Sequence, residues 1–254
     1  MWTGIEISIG VYCALVGGLF AFQRHLMYFP VKMTAPPSAF GLSGVEDIFL
    51  ETSDKVRLQT WVHAARPGYP TLLYFHGNAL HLGERAPWFK AFVDAGFGLV
   101  AASHRGFGKS EGSPTEAGLY TDARIAIDYA QHSLSIPLTT LIYFGESLGS
   151  GVAVQMATER PPGLLVLQAP YTSVETRAAE LYPFVIGVPI WCATNTTRCR
   201  KSPGPKHHFS FCMGRKTPSF RCAMPKLFLP RQTNLKPWWS TRRRIMTISA
   251  ANKF

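Results

Sequence analysis

Between residues 45 and 170, short apolar or β-branched runs alternate with longer stretches whose apolar positions recur at helical spacing. That rhythm predicts an α/β fold with a largely parallel sheet. Asp47-Ile48-Phe49-Leu50 and residues 56–62 are separated by the turn-like Thr52-Ser53-Asp54-Lys55, which predicts an antiparallel hairpin. Residues 71–75 read as a buried strand ending in His76-Gly77-Asn78-Ala79, and a helix near 85–95 leads to a strand over 98–103. Pro114-Thr115-Glu116 supplies a start for a helix over 115–132. Then come a strand over 139–144, a tight turn over 145–149, a helix over 150–160 and a strand over 163–168 that closes at Ala169-Pro170-Tyr171.

The rhythm stops near residue 190. Pro203, Pro205, Pro218, Pro225, Pro230 and Pro237 interrupt every candidate helix beyond it, and no five-residue apolar strand is evident there. At the other end, residues 5–22 are apolar apart from Glu6, Ser8 and Tyr12, close to the minimum length of a membrane span. No basic segment precedes this run, whereas Arg24, His25 and Lys32 follow it, which favours a retained single-pass anchor over a cleaved signal peptide. Positive charge on that side favours a cytoplasmic body. The pattern therefore divides the chain into an N-terminal anchor or signal segment (1–30), a core (40–190) and a tail (191–254).

Charge sharpens the last boundary. The formal net charge of +11 resembles a nucleic-acid signal, but all 15 acidic residues lie between Glu6 and Glu180, and residues 191–254 carry 14 Lys and Arg with no acid. The body alone is slightly acidic, so no nucleic-acid partner is expected. At ordinary composition a stretch of that length should hold roughly eight carboxylates. Four of the five cysteines, Cys192, Cys199, Cys212 and Cys222, fall in the same tail. They lack Cys-x-x-Cys spacing, so a metal site with His207 and His208 is not expected, and no cofactor is implied.

The chemistry sits at Gly145-Glu146-Ser147-Leu148-Gly149. A Gly-x-Ser-x-Gly turn between a strand and a helix stands its serine on a sharply bent backbone, where flanking side chains would collide. Ser147 is the candidate nucleophile. The helix that follows points its first amides, beginning with that of Leu148, toward the oxyanion formed in acyl transfer. His76-Gly77-Asn78-Ala79 ends a strand where a second oxyanion amide, that of Asn78, is expected, with Gly77 allowing close backbone approach.

With these motifs the chain resembles the membrane-anchored α/β-hydrolase family that includes Bem46-like and ABHD13-like proteins of the serine aminopeptidase S33 type. The resemblance covers most of residues 1–190. It rests on the apolar N-terminus, His76 to Ala79, the loop His104-Arg105-Gly106-Phe107-Gly108-Lys109-Ser110-Glu111-Gly112, residues 116–122 and Gly145 to Gly149. His104 stands where the family usually has Tyr. The resemblance implies hydrolysis of a small-molecule or lipid-like acyl substrate, an ester, thioester or amide, through an acyl-enzyme at Ser147. It also implies an acid and a histidine after the nucleophile. The last acid, Glu180, comes too early, and the only later histidines, His207 and His208, lie in a Lys- and Pro-rich context. The triad acid and base therefore have no assignable residue.

A shifted reading frame accounts for the tail. If codons begin one base earlier, Cys212-Met213-Gly214-Arg215-Lys216-Thr217 permits His-Gly-Glu-Lys-Asp, with the Gly forced because Met has one codon. Arg244-Ile245-Met246-Thr247 permits His, then His or Asn, then a forced Asp. These resemble the family's surroundings of the catalytic acid and base. The same frame permits Val-Arg-Asp-Gln-Tyr-Asp over residues 191–197 and Pro-Lys-Ala-Leu-Val-Val over residues 235–240, a last strand. One frame restores acids, strand and histidine together, which puts the break near Pro189 to Trp191. The expected protein is thus an α/β-hydrolase without native-like last two strands and inactive at Ser147. The alternative is a catalytically dead, hydrolase-like binding protein whose basic tail touches anionic lipid or nucleic acid.

Overall fold

A computed structural model of the chain describes residues 2–32, 35–170, 178–179, 182–185 and 209–212. The N-terminal run forms one helix, α1 (Trp2–Met27), of which Gly4–Met27 is long and apolar enough to cross a membrane, at a mean hydropathy of 1.9. Most of its apolar side chains, Ile5, Ile7, Ile9, Val11, Leu15 and Phe22 among them, face outward, and Val16 is buried. A two-residue strand, β1 (Phe29–Pro30), follows at once.

The expected hairpin is β2 (Glu46–Glu51) and β3 (Arg57–His63), paired antiparallel. Next come β4 (Thr71–Phe75), the short β5 (Ala79–Leu80), α2 (Ala86–Asp94) and β6 (Gly98–Ala102). Helix α3 (Glu116–Asp128) begins at Thr115, whose side chain accepts the Gly118 amide as an N-cap, and runs into a π-helical turn over Tyr129–Ser133. The turn at Ser147 lies between β7 (Leu141–Glu146) and α4 (Leu148–Glu159), and β8 (Leu164–Gln168) follows. Apart from β5, which was not expected, each of these strands and helices lies within a few residues of its sequence expectation, because each is a separate, strongly patterned segment bounded by Gly, Pro or a cap.

The main sheet runs β2-β3-β6-β4-β7-β8-β9, with β6, β4, β7 and β8 parallel. Its central strands are buried on both faces, so they read as continuous apolar runs and not as alternations. Leu73, Phe75, Val100, Tyr143 and Leu165 point to one face, under α3 and α4. Leu72, Tyr74, Leu99, Ala101 and Val166 point to the other, under α2 with Phe89. From β4 the chain crosses to β6 on one side and then to β7 on the other, so the sheet order reverses at β4. In open α/β sheets the crevice at the carboxyl ends of such strands is where ligands bind.

One departure from the sequence reading lies in the tail. The strand β9 (Phe209–Cys212) pairs antiparallel with β8, Leu165 opposite Cys212 and Gln168 opposite Phe209. An uncovered β8 edge presents a row of unpaired amides and carbonyls, and Phe-Ser-Phe-Cys is a β-prone segment able to add to it. The addition is antiparallel, so β9 is no parallel continuation of the sheet.

Candidate active site

Ser147 has φ 47° and ψ −111°, a conformation that side-chain-bearing residues rarely adopt, and it forms the N-cap of α4. Its amide donates to the Gln168 carbonyl at 2.8 Å, and its carbonyl accepts from the Ser150 amide at 2.9 Å and from Ser150 Oγ at 2.5 Å. The turn is therefore pinned on both sides. The two glycines are needed for packing. A Cβ on Gly145 would lie 2.5 Å from the Gly149 carbonyl oxygen, and one on Gly149 would lie 2.0 Å from that of Phe75. These close approaches let α4 sit directly on the ends of β4 and β7.

Gly145 pairs with Phe75, so the sheet register sets the turn at Ser147 beside the loop His76-Gly77-Asn78 that continues β4. His76 is fully buried. Its Nε2 accepts the His104 amide at 2.8 Å, so its Nδ1 carries the proton and donates to the Gly77 carbonyl at 2.7 Å. His104 Nε2 in turn donates to the His76 carbonyl at 3.0 Å, and the two rings lie 4.0 Å apart. Burial holds both imidazoles neutral: that of His76 is well below the usual value, and that of His104 is brought down to about 4. His104 supplies a second ring that clamps the β6 loop to the β4 loop.

Asn78 is used twice by the chain that leaves α1. Its side chain donates to the Met27 carbonyl, and its own carbonyl accepts the Phe29 amide, both at 2.9 Å. Sequence reasoning gave Asn78 an amide role only. Leu148 occupies the first turn of α4, with its side chain buried in the core.

The residues that sequence reasoning passed over are Tyr74, Arg85 and Glu146. Glu146, the variable position of the turn, accepts from Tyr74 Oη at 2.5 Å, from Arg85 Nε at 2.7 Å and from Arg85 Nη2 at 3.1 Å. The same guanidinium donates to the Ala79 and His81 carbonyls, each at 3.1 Å. Burial pushes the Glu146 carboxyl up, but Arg85 and Tyr74 outweigh it and leave the group below its usual range. Burial raises the Tyr74 hydroxyl well above its usual value, so it stays a donor. A Glu inside the turn was the only available signal, since Arg85 is read from sequence as an ordinary helix start.

The loop 104–112 is held from a different side. Arg105 donates through its backbone amide (2.8 Å) and Nε (2.9 Å) to Asp122, and through Nη1 (2.7 Å) and Nη2 (3.1 Å) to Asp54. Gly118 leaves room for that side chain, because a Cβ there would lie 2.6 Å from Arg105 Cδ. Gly118 and Asp122, both on α3, thus hold the loop through Arg105.

Among the described residues no histidine or carboxylate side chain hydrogen-bonds Ser147, and no cluster suited to a metal ion occurs. Glu180, His207 and His208 lie outside the described residues, as do Cys192, Cys199 and Cys222.

Comparison with known proteins follows the same outline. The family model "Serine aminopeptidase, S33" matches residues 69–211. A protein of Mycobacterium tuberculosis is 34% identical over 183 residues, covering 70% of this chain and 65% of that one. Protein bem46 of Schizosaccharomyces pombe is 32% identical over 189 residues, 70% of this chain and 63% of its own. The lysophosphatidylserine lipase ABHD12 of Danio rerio is 33% identical over 123 residues, covering 46% and 31%. The matched part thus spans just under two thirds of the first two relatives. An esterase of Pyrococcus furiosus shares the fold at a TM-score of 0.52, with 18% identity over 65% of each chain.

Proposed function

The chain belongs to the serine aminopeptidase S33 family of α/β-hydrolases, and from that membership we propose that its core is built to cleave an ester, thioester or amide through an acyl-enzyme at Ser147. The observation that carries this is the strained Ser147 backbone, φ 47°, held between two glycines at the reversal point of the sheet. Strain of this kind costs about 1–3 kcal/mol and persists where the geometry is used. In the reaction Ser147 Oγ attacks the acyl carbon, the bond to the leaving group breaks, and the amides of Leu148 and Asn78 hold the oxyanion.

The step also requires a base to take the serine proton and return it to the leaving group. The sequence supplies no histidine in a catalytic context after Ser147. Ser147 is therefore stranded in this chain, and the tail after about residue 190 is read out of frame. A serine of ordinary acidity without its base is a weak nucleophile.

A fluorophosphonate probe tests both parts. The full chain in detergent should label weakly at Ser147, whereas a chain whose codons after position 190 are read one base earlier should label strongly and lose the label with Ser147→Ala. Strong Ser147-dependent labelling of the present chain would overturn the stranded state. Absence of labelling in the reframed chain would overturn the hydrolase assignment.

A further inference from the structure

Helix α1 is joined to the catalytic end of the sheet without slack. It ends at Met27, and a single residue, Tyr28, separates it from β1. Tyr28 is buried in the core cluster that also holds Phe75 and Leu148, so even this residue is fixed to the body. Beyond it, β1 pairs in parallel with β5, Phe29 opposite Ala79 and Pro30 opposite Leu80. The Met27 carbonyl and the Phe29 amide both bond Asn78. Farther along, the Val31 carbonyl accepts the Gly108 amide at 3.0 Å, and Lys32 Nζ donates to the Ser110 carbonyl at 2.9 Å. The exit segment is thus stitched to the loop after β4 and to the loop after β6, which both leave the carboxyl edge where Ser147 stands.

The side chains around this junction are apolar and exposed. Outside α1, the large hydrophobic side chains that face solvent among the described residues are Phe29, Val31, Phe49, Leu80 and Phe184. Phe29, Val31 and Leu80 are gathered on β1, β5 and the residue after β1, and Leu26 on the last turn of the helix is exposed beside them. An apolar rim has a cost in water, and this one continues the outward apolar surface of α1. Arg24 and His25 in the last turn of the helix supply the polar anchors expected at headgroup depth.

We propose that the carboxyl edge of the sheet is a membrane-docking surface, with Phe29, Val31 and Leu80 in the headgroup layer and the loop carrying Asn78 clamped directly to the end of the span. A lipid surface is the occupant because the rim is continuous with a helix of spanning length and is followed by no flexible linker. Gly4–Met27, at the usual helical rise, extends about 36 Å against a hydrocarbon core of roughly 30 Å, so its C-terminal turn lies at the interface. Resting on the hydrolase reading, an acyl substrate then reaches Ser147 from the adjoining leaflet, and each methylene is spared transfer through water.

The test reads position and not turnover, so it stands or fails apart from the chemistry at Ser147. The full chain, with its native cysteines replaced by serine, is reconstituted in phosphatidylcholine vesicles carrying headgroup-proximal or deep nitroxide lipids. A fluorophore is placed at Leu80→Cys, at Val31→Cys, and at Thr139→Cys on the opposite end of the sheet. We expect the Leu80 and Val31 labels to lose at least half of their emission to the shallow quencher and less to the deep one, while the Thr139 label is unaffected. Equal emission from all three positions would overturn the proposal, as would quenching at Thr139 alone. Two separate rim positions keep the result interpretable if either substitution perturbs folding.

Discussion

Arg85 and Glu146, 61 residues apart, meet in a two-pronged ion pair, Nε to Oε2 at 2.7 Å and Nη2 to Oε1 at 3.1 Å. The pair joins the turn that carries Ser147 to the loop that carries Asn78, because Arg85 also holds the Ala79 and His81 carbonyls. Tyr74, from the floor of the sheet, satisfies the same carboxylate. The two backbone segments proposed to face the acyl group are fixed relative to each other by one guanidinium.

Removing one partner should therefore cost more than removing both. Arg85→Met leaves Glu146 partly buried without its guanidinium, and Glu146→Leu leaves a guanidinium in the same position. Fully buried pairs broken on one side lose about 3–5 kcal/mol, and the partial exposure of Glu146 lowers this to roughly 2–3. The double variant Arg85→Met, Glu146→Leu should recover at least half of that loss. Denaturant unfolding of the four proteins gives the cycle.

Ser147→Gly should stabilise the fold. Glycine relieves the backbone strain at φ 47°, worth about 1–3 kcal/mol, against a glycine entropy cost of roughly 0.5–1. A gain of about 1 kcal/mol is expected from the unfolding midpoint. Gly149→Ala should act in the opposite direction and leave little folded protein, since its methyl meets the Phe75 carbonyl backbone at 2.0 Å.

Stability should fall in mild acid because of His76 and His104. Both are neutral in the fold and have lowered pKa values, so the unfolded chain binds more protons below about pH 6.5. The stabilisation is complete above that pH and is lost progressively as pH falls toward about 4, where His104 itself titrates in the fold. For His104 alone the window corresponds to roughly 3 kcal/mol. His104→Tyr should flatten the profile between pH 6.5 and 4, measured by the denaturant midpoint at each pH.

Arg105→Lys should be a severe change despite keeping the charge. An ammonium cannot span Asp122 and Asp54 together, and Asp122 is almost wholly buried. Burial already pushes the Asp122 carboxyl up to about 6, and loss of the fork leaves it protonated or unpaired. A loss of about 2–3 kcal/mol is expected from thermal or denaturant unfolding, together with faster proteolysis in the 104–112 loop.

The sequence by itself determined the order of strands and helices through β8 and the turn at Ser147, because those signals are local. Residues 71–75 read as a strand from their own apolar run, Thr115 caps the helix that follows it, and glycines at 145 and 149 mark a bend. The compositional break near residue 190 was equally legible, since it needs only a count. Contacts between distant positions were decided by the tertiary structure. No periodicity links Arg85 to Glu146, His76 to His104, or Met27 to Asn78, and each pair is made only when parallel strands bring their carboxyl ends to one edge. The same holds for β9, whose antiparallel place beside β8 depends on an edge that a sequence window cannot see. Ser147 was identified from five residues, but its strained backbone, its tie to the Asn78 loop and that loop's junction with the N-terminal helix come from the packing of the whole sheet.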